Sequence, residues 1–161
     1  MKVQTARFGE IVLAEEDLLN VVGGLLGFYG LCDYGEYRPE GLGIFRWLQS
    51  LEIPRLAFVM CPAAAIVPDY GISVPAQELS CIGLTCAEDA DVYVILTHPE
   101  DPSQMTANLL GPIIVNRATR MARQVVLYDT EYSSRHSVFP HLSASVRAEA
   151  ATGDERRQEC A

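Results

Sequence analysis

The sequence predicts a mostly β fold: a small, antiparallel, barrel-like single domain with one or two short helices. Three observations predict it. Apolar residues fall in short runs with little helical periodicity. Glycine and proline, 12 and 9 of the 161 residues, punctuate those runs. The stretch DVYVILTH, residues 91–98, has apolar side chains on both faces, as a central strand covered on two sides does. Many short strands with frequent turns close as a sandwich or a small barrel.

The elements follow in order. Residues 3–8 and 11–14, separated by Gly9, read as a tight hairpin. Residues 18–22 form a third apolar run, stopped by Gly23 and Gly24. Residues 44–48 and 56–61 flank the turn SLEIPR, which Pro54 punctuates. A brief helix has Pro75 in its first turn and Gly83 beyond its end. Residues 112–116 and 124–128 read as two strands around the polar turn RATRMAR. Trp47 lies in an alternating apolar strand and is expected in the core. Residues 1–141 are expected to form the domain. Residues 142–161 are small, polar and charged and read as a flexible tail with no apolar face to dock.

Composition narrows the function. Hydrophobic residues make up 49% and charged residues 20%, which is globular rather than disordered. No apolar run approaches the ~20 residues of a membrane span. The opening MKVQTARFGE has no apolar h-region, so no secretory signal is expected. Five cysteines cannot all pair within one chain, which suits a reduced, cytoplasmic setting. The formal net charge is −9, and between Glu15 and Asp101 the only basic residues are Arg38, Arg46 and Arg55. Arg117, Arg120, Arg123 and Arg135 cluster later. Such a surface repels phosphate backbones, so direct nucleic-acid binding is not expected, whereas a basic protein partner is compatible with it.

Catalytic signals are weak. The glycines of GGLLG, residues 23–27, lack the Gly-Lys-Ser/Thr ending of a phosphate-cradling loop, and there is no lysine after Lys2. They read as turns. Cys81 and Cys86 are spaced more widely than a zinc-binding C-x-x-C pair, so no metal is expected. Cys61 and Cys81, in apolar surroundings, read as buried small hydrophobes. Ser133 and His136 lack a nucleophile elbow. Asp69 and the pair Glu100–Asp101 read as solvated turn charges.

Several motifs in order resemble one family. TARFGEI at the start, GLLGF at 24–28, RWLQS at 46–50, LAFVM at 56–60 and PDY at 68–70 come first. PEDPSQMTANLLGPIIVN at 99–116 and RQVVLYDTEYSSRH at 123–136 follow. Together they resemble FliW, the flagellar assembly factor family, from about residue 3 to 140. The resemblance implies a barrel-like domain in the cytoplasm, without enzymatic activity, cofactor or membrane attachment. It also implies two competing protein partners: CsrA, the basic RNA-binding translational regulator that represses flagellin synthesis, and flagellin itself. A flagellin-binding chaperone that leaves CsrA alone is the alternative. The family usually has proline where Leu26 stands, bulky aromatics at Ala63–Ala64–Ala65, and glycine at Ala122.

Residues 99–110 raise the question of the site. Pro99 and Pro102 end a strand, and Glu100 and Asp101 occupy the turn. Either Thr106 and Asn108 serve the backbone of a crossover, or the segment contacts a partner. Tyr70, Glu100, Asp101, Met105, Thr106 and Asn108 are the candidate contact residues. Met105, flexible and apolar beside an acidic turn, is the foremost of them.

Overall fold

The structure is a computed structural model that describes residues 1–139. Its strands are β1 (Lys2–Thr5), β2 (Gly9–Val12), β3 (Leu18–Val21), β4 (Gly24–Leu25), β5 (Phe28–Tyr29), β6 (Asp33–Tyr37), β7 (Arg46–Ser50) and β8 (Ala57–Pro62). A short helix, α1 (Ala76–Ser80), precedes β9 (Ala90–Leu96), β10 (Thr106–Ala107), β11 (Ile113–Asn116), β12 (Met121–Gln124) and β13 (His136–Ser137). The tail expected over 142–161 lies outside the described residues.

Seven strands close a barrel in the order β11–β12–β3–β6–β7–β8–β9, with β9 returning to β11. All of these pairings are antiparallel except β12 with β3, which is parallel through Met121 opposite Asn20 and Ala122 opposite Val21. The barrel interior takes side chains from every one of those strands: Leu19, Val21, Tyr34, Leu48, Met60, Tyr93, Ile113, Val115 and Ala122. Full closure leaves the barrel strands no free edge, which disposes of the usual route to strand-mediated aggregation.

Two further apolar layers lie outside the barrel. Trp47, Val59, Cys61, Val94 and Leu96 on β7–β9 are covered by Phe45, Ile66, Met105, Leu109 and Val138. Ile114 on β11 is covered by Ile82, Leu84, Val125 and Leu127. These layers explain why DVYVILTH is apolar on both faces: one face fills the barrel and the other a second core. Trp47 is 6% exposed, beneath Phe8 (ring centroids 5.3 Å apart) and the Arg7 guanidinium (4.3 Å).

The β1–β2 hairpin forms as expected. Leu13, the residue after β2, packs so tightly on β6 that a Cβ at Gly35 would meet its Cδ1 at 2.2 Å. The turn after β7 is organised from inside. Gln49, fully buried, donates from Nε2 to the carbonyls of Ser50, Pro54 and Leu56 at 3.0, 3.2 and 3.1 Å. The amides of Glu52 and Ile53 donate to Ser50 Oγ.

Two expectations are corrected. The strand expected at 124–128 lies instead at Met121–Gln124. Val125 and Leu127 are buried, but their amides bond to the irregular carbonyls of Pro112 and Leu110 rather than to a regular ladder. Cys61 is buried, as expected, and burial pushes its thiol up to about 12, whereas Cys81 is exposed. Cys81 caps the end of α1, and the next residue, Ile82, enters the core in its place.

Candidate partner-binding site

β9 has one edge on β8 and divides the other between two neighbours: residues 90–93 pair with β11 and Leu96 with β10. Residues 97–112 must therefore leave β9, turn and come back beside it. Proline starts that departure, since Pro99 and Pro102 cannot donate to a ladder. Asp101 then caps a single 3-10 turn, Pro102–Gln104, its Oδ1 accepting from Ser103 N at 2.9 Å and Ser103 Oγ at 2.7 Å. Those bonds, the side-chain one foremost, hold the Asp101 carboxyl below the usual aspartate value. Glu100 and Asp101 are exposed, and neither is ion-paired among the described residues.

The remaining candidates divide by role. Thr106 is locked to Thr97: its amide donates to Thr97 Oγ1 at 2.9 Å, and the two hydroxyls are 3.1 Å apart. Asn108 accepts from the amides of Leu110 and Gly111 on Oδ1, both at 3.1 Å, while its own amide donates to Ile95 O at 2.9 Å. The Asn108 side chain thus serves the crossover backbone, whereas, among the described residues, the Thr106 hydroxyl meets only that of Thr97, and it is Thr97 Oγ1 that takes the Thr106 amide. Met105 does not offer a contact surface. It is 5% exposed and packs in the layer containing Trp47 and Leu109, because the β10–β13 pair folds over it.

Tyr70 joins the crossover from a distant part of the chain. Its hydroxyl donates to Leu109 O at 2.6 Å, and burial pushes the phenol pKa well up. Tyr132 packs on the Tyr70 ring with centroids 4.7 Å apart, and accepts from Gly71 N at 3.0 Å. The Leu109 amide donates to Ser133 O. Segments 68–71, 105–111 and 132–138, far apart in sequence, thus make one continuous face. Glu100 and Asp101 stand in the turn that leads into it.

The charged pattern of the sequence also resolves. Arg117, Arg120 and Arg123 reach back to acids of the arginine-poor stretch: Asp91 at 2.9 Å, Glu36 at 2.6 Å and Glu78 at 2.6 Å. Glu36 is 1% exposed and takes three guanidiniums: Arg38 and Arg46 on Oε1, Arg120 on Oε2. Arg46 also bonds the Tyr93 hydroxyl. This cluster closes the barrel end where β6 and β8 finish and β7 and β9 begin. Sequence reasoning missed it, although the alternation of Tyr34 and Glu36 around Gly35 marks them as sharing one strand face.

Among the described residues, no group of three or more His, Cys, Asp and Glu could hold a metal ion. No described helix is long and apolar enough to cross a membrane.

The pattern of the family described as FliW protein matches residues 2–138. A flagellar assembly factor FliW of Bdellovibrio bacteriovorus is 37% identical over 146 residues, covering 91% of this chain and 83% of that protein. One from Leptospira interrogans is 35% identical over 147 residues, covering 91% of this chain and 98% of the other. A crystal structure of the flagellar assembly factor FliW superposes with a TM-score of 0.79 at 32% identity, covering 87% of this chain and 98% of that one. With that agreement running from the first strand to Val138, the chain belongs to the FliW family of flagellar assembly factors.

Proposed function

We propose that this assembly factor works by binding and not by catalysis. In this reading it antagonises the RNA-binding translational regulator CsrA in the cytoplasm, with flagellin as the competing partner. Family membership over residues 2–138 supports the reading most strongly. The charge agrees with it: a protein of net charge −9 attracts a basic regulator and, once bound beside its RNA face, repels incoming phosphate. The proposed contact surface is the exposed Glu100–Asp101 turn with the edge of the Tyr70–Thr106–Asn108 face. Met105 supports that face from beneath.

The test is a titration of purified protein into CsrA bound to its labelled leader RNA, read by release of the RNA. Stoichiometric release, reversed by added flagellin, is the expected result. If flagellin binds while CsrA keeps its RNA at every concentration, the antagonist reading fails and the flagellin chaperone stands in its place.

A further inference from the structure

The barrel end closed by Glu36 opens outward as a groove of about 440 Å³, lined in part by Arg38, Arg46, Ala63, Ala64, Tyr70 and Tyr93. Its charge runs against that of the whole chain. Of the three guanidiniums that share the Glu36 carboxylate, those of Arg38 and Arg46 line the groove, which leaves one positive charge in excess there, with Arg120 behind the lining. The carboxylate in the wall, Asp91, is engaged by Arg117 at 2.9 Å. Glu88 and Asp89 stand exposed on the turn before β9, outside the lining. Ala64, exposed, presents only a methyl group beside these charges, while Ala63 is 1% exposed and packs in the core behind it.

We infer that this groove binds the carboxylate of an acidic peptide segment from a partner protein, with an adjoining apolar side chain against Pro62, Ala64 and Val92. Guanidiniums pair with carboxylates through parallel N–H donors; Arg38 spends its Nε and one Nη2 hydrogen on Glu36 and, with its side chain 58% exposed, keeps its outer Nη1–Nη2 edge for a second carboxylate. The opposite halves of the lining suit a peptide, which brings charge and apolar surface together. A polyphosphate chain brings none of the second and is repelled by the surrounding acidity. A basic regulator is also the wrong sign for this face. The inference therefore does not rest on the regulator reading, and the experiment below contains no regulator.

The probe is the blocked hexapeptide acetyl-Ala-Leu-Glu-Asp-Leu-Ala-amide, with its Gln-Asn counterpart as the neutral control. Each is titrated into ¹⁵N-labelled full-length protein while the amides of Ala63, Ala64 and Asp91 and the Nε–H groups of Arg38 and Arg46 are followed. The acidic peptide is expected to shift these resonances and to bind about tenfold more tightly than the neutral one. Arg38→Ala should remove most of that difference, and Ala64→Phe, at an exposed position, should block both peptides by filling the groove. Thermal unfolding of each variant checks that the fold is kept. Equal binding of the two peptides overturns the inference. So do shifts mapping elsewhere, unchanged affinity in Arg38→Ala, or no shift up to millimolar peptide.

Discussion

Replacing Glu36 by glutamine preserves shape but removes the one negative charge that three arginines share. Arg46 and Arg120 are the partners that matter, with side chains 20% and 19% exposed; Arg38 is mostly solvated at 58%. At contacts of 2.6–2.8 Å the charge centres lie about 4 Å apart, where each pair is worth about 4 kcal/mol at an effective dielectric of 20. Desolvation already offsets much of that in the parent protein. Breaking such a pair from one side nevertheless leaves uncompensated charge and costs about 3–5 kcal/mol. For a chain of this size the expected fall in Tm is roughly 10 °C, at about 2–4 °C per kcal/mol. Urea unfolding should show a lower midpoint with an unchanged slope. Arg38→Ala should cost under about 1 kcal/mol. Arg120→Met should cost less in the Glu36→Gln background than in the parent, by about 1–2 kcal/mol. A Glu36→Gln protein within about 1 kcal/mol of the parent, or additive double mutants, would refute this account.

Three further predictions concern the crossover. Met105→Ala should lower stability by about 2–5 kcal/mol, seen in urea unfolding, because it opens a cavity in the layer beneath β10 and β13; an unchanged midpoint would return Met105 to the surface. The Asp101 carboxyl should titrate by NMR below the ordinary value of about 3.9. Because its folded pKa is depressed, its stabilising contribution is present above the unfolded value and lost as pH falls through the folded one. Ser103→Ala should move the midpoint most of the way back, and an unmoved midpoint would show that another group sets it. Under the function proposed above, Glu100→Lys should slow association with CsrA several-fold, a defect that raised salt shrinks; rates equal to the parent's would remove this turn from the proposed contact.

Much of this architecture was legible in residue patterns, and what was hidden had physical causes. The β1–β2 hairpin, β3, β7, β8, β9 and β11 announce themselves through apolar runs bounded by glycine or proline. β6 does not, because DYGEY carries a glycine that makes room for Leu13 and a glutamate that belongs to the polar end of the barrel. The run VVLY beyond β12 alternates like a strand because Val125 and Leu127 do enter a core, yet their hydrogen bonds go to the irregular crossover. Asn108, which the sequence left between a backbone role and a partner contact, accepts from the amides of Leu110 and Gly111. Met105 misled because sequence shows that a side chain is apolar, not which way the chain turns it between the Pro102–Gln104 turn and β10.

The parallel β12–β3 seam has a consequence for how the protein is made. Asn20 and Met121 are neighbours in space and about a hundred residues apart in the chain. At translation rates of about 5–20 residues per second, β3 emerges some 5–20 s before its partner exists. During that time the nascent chain can form the β1–β2 hairpin and pair β3, β6, β7 and β8 in turn, but both ends of the growing sheet remain open. Barrel closure thus comes late and demands a large loop entropy at once, which places this fold among the slower, less local ones. A ribosome-stalled chain ending before residue 121 would present an unpaired β3 edge to its surroundings.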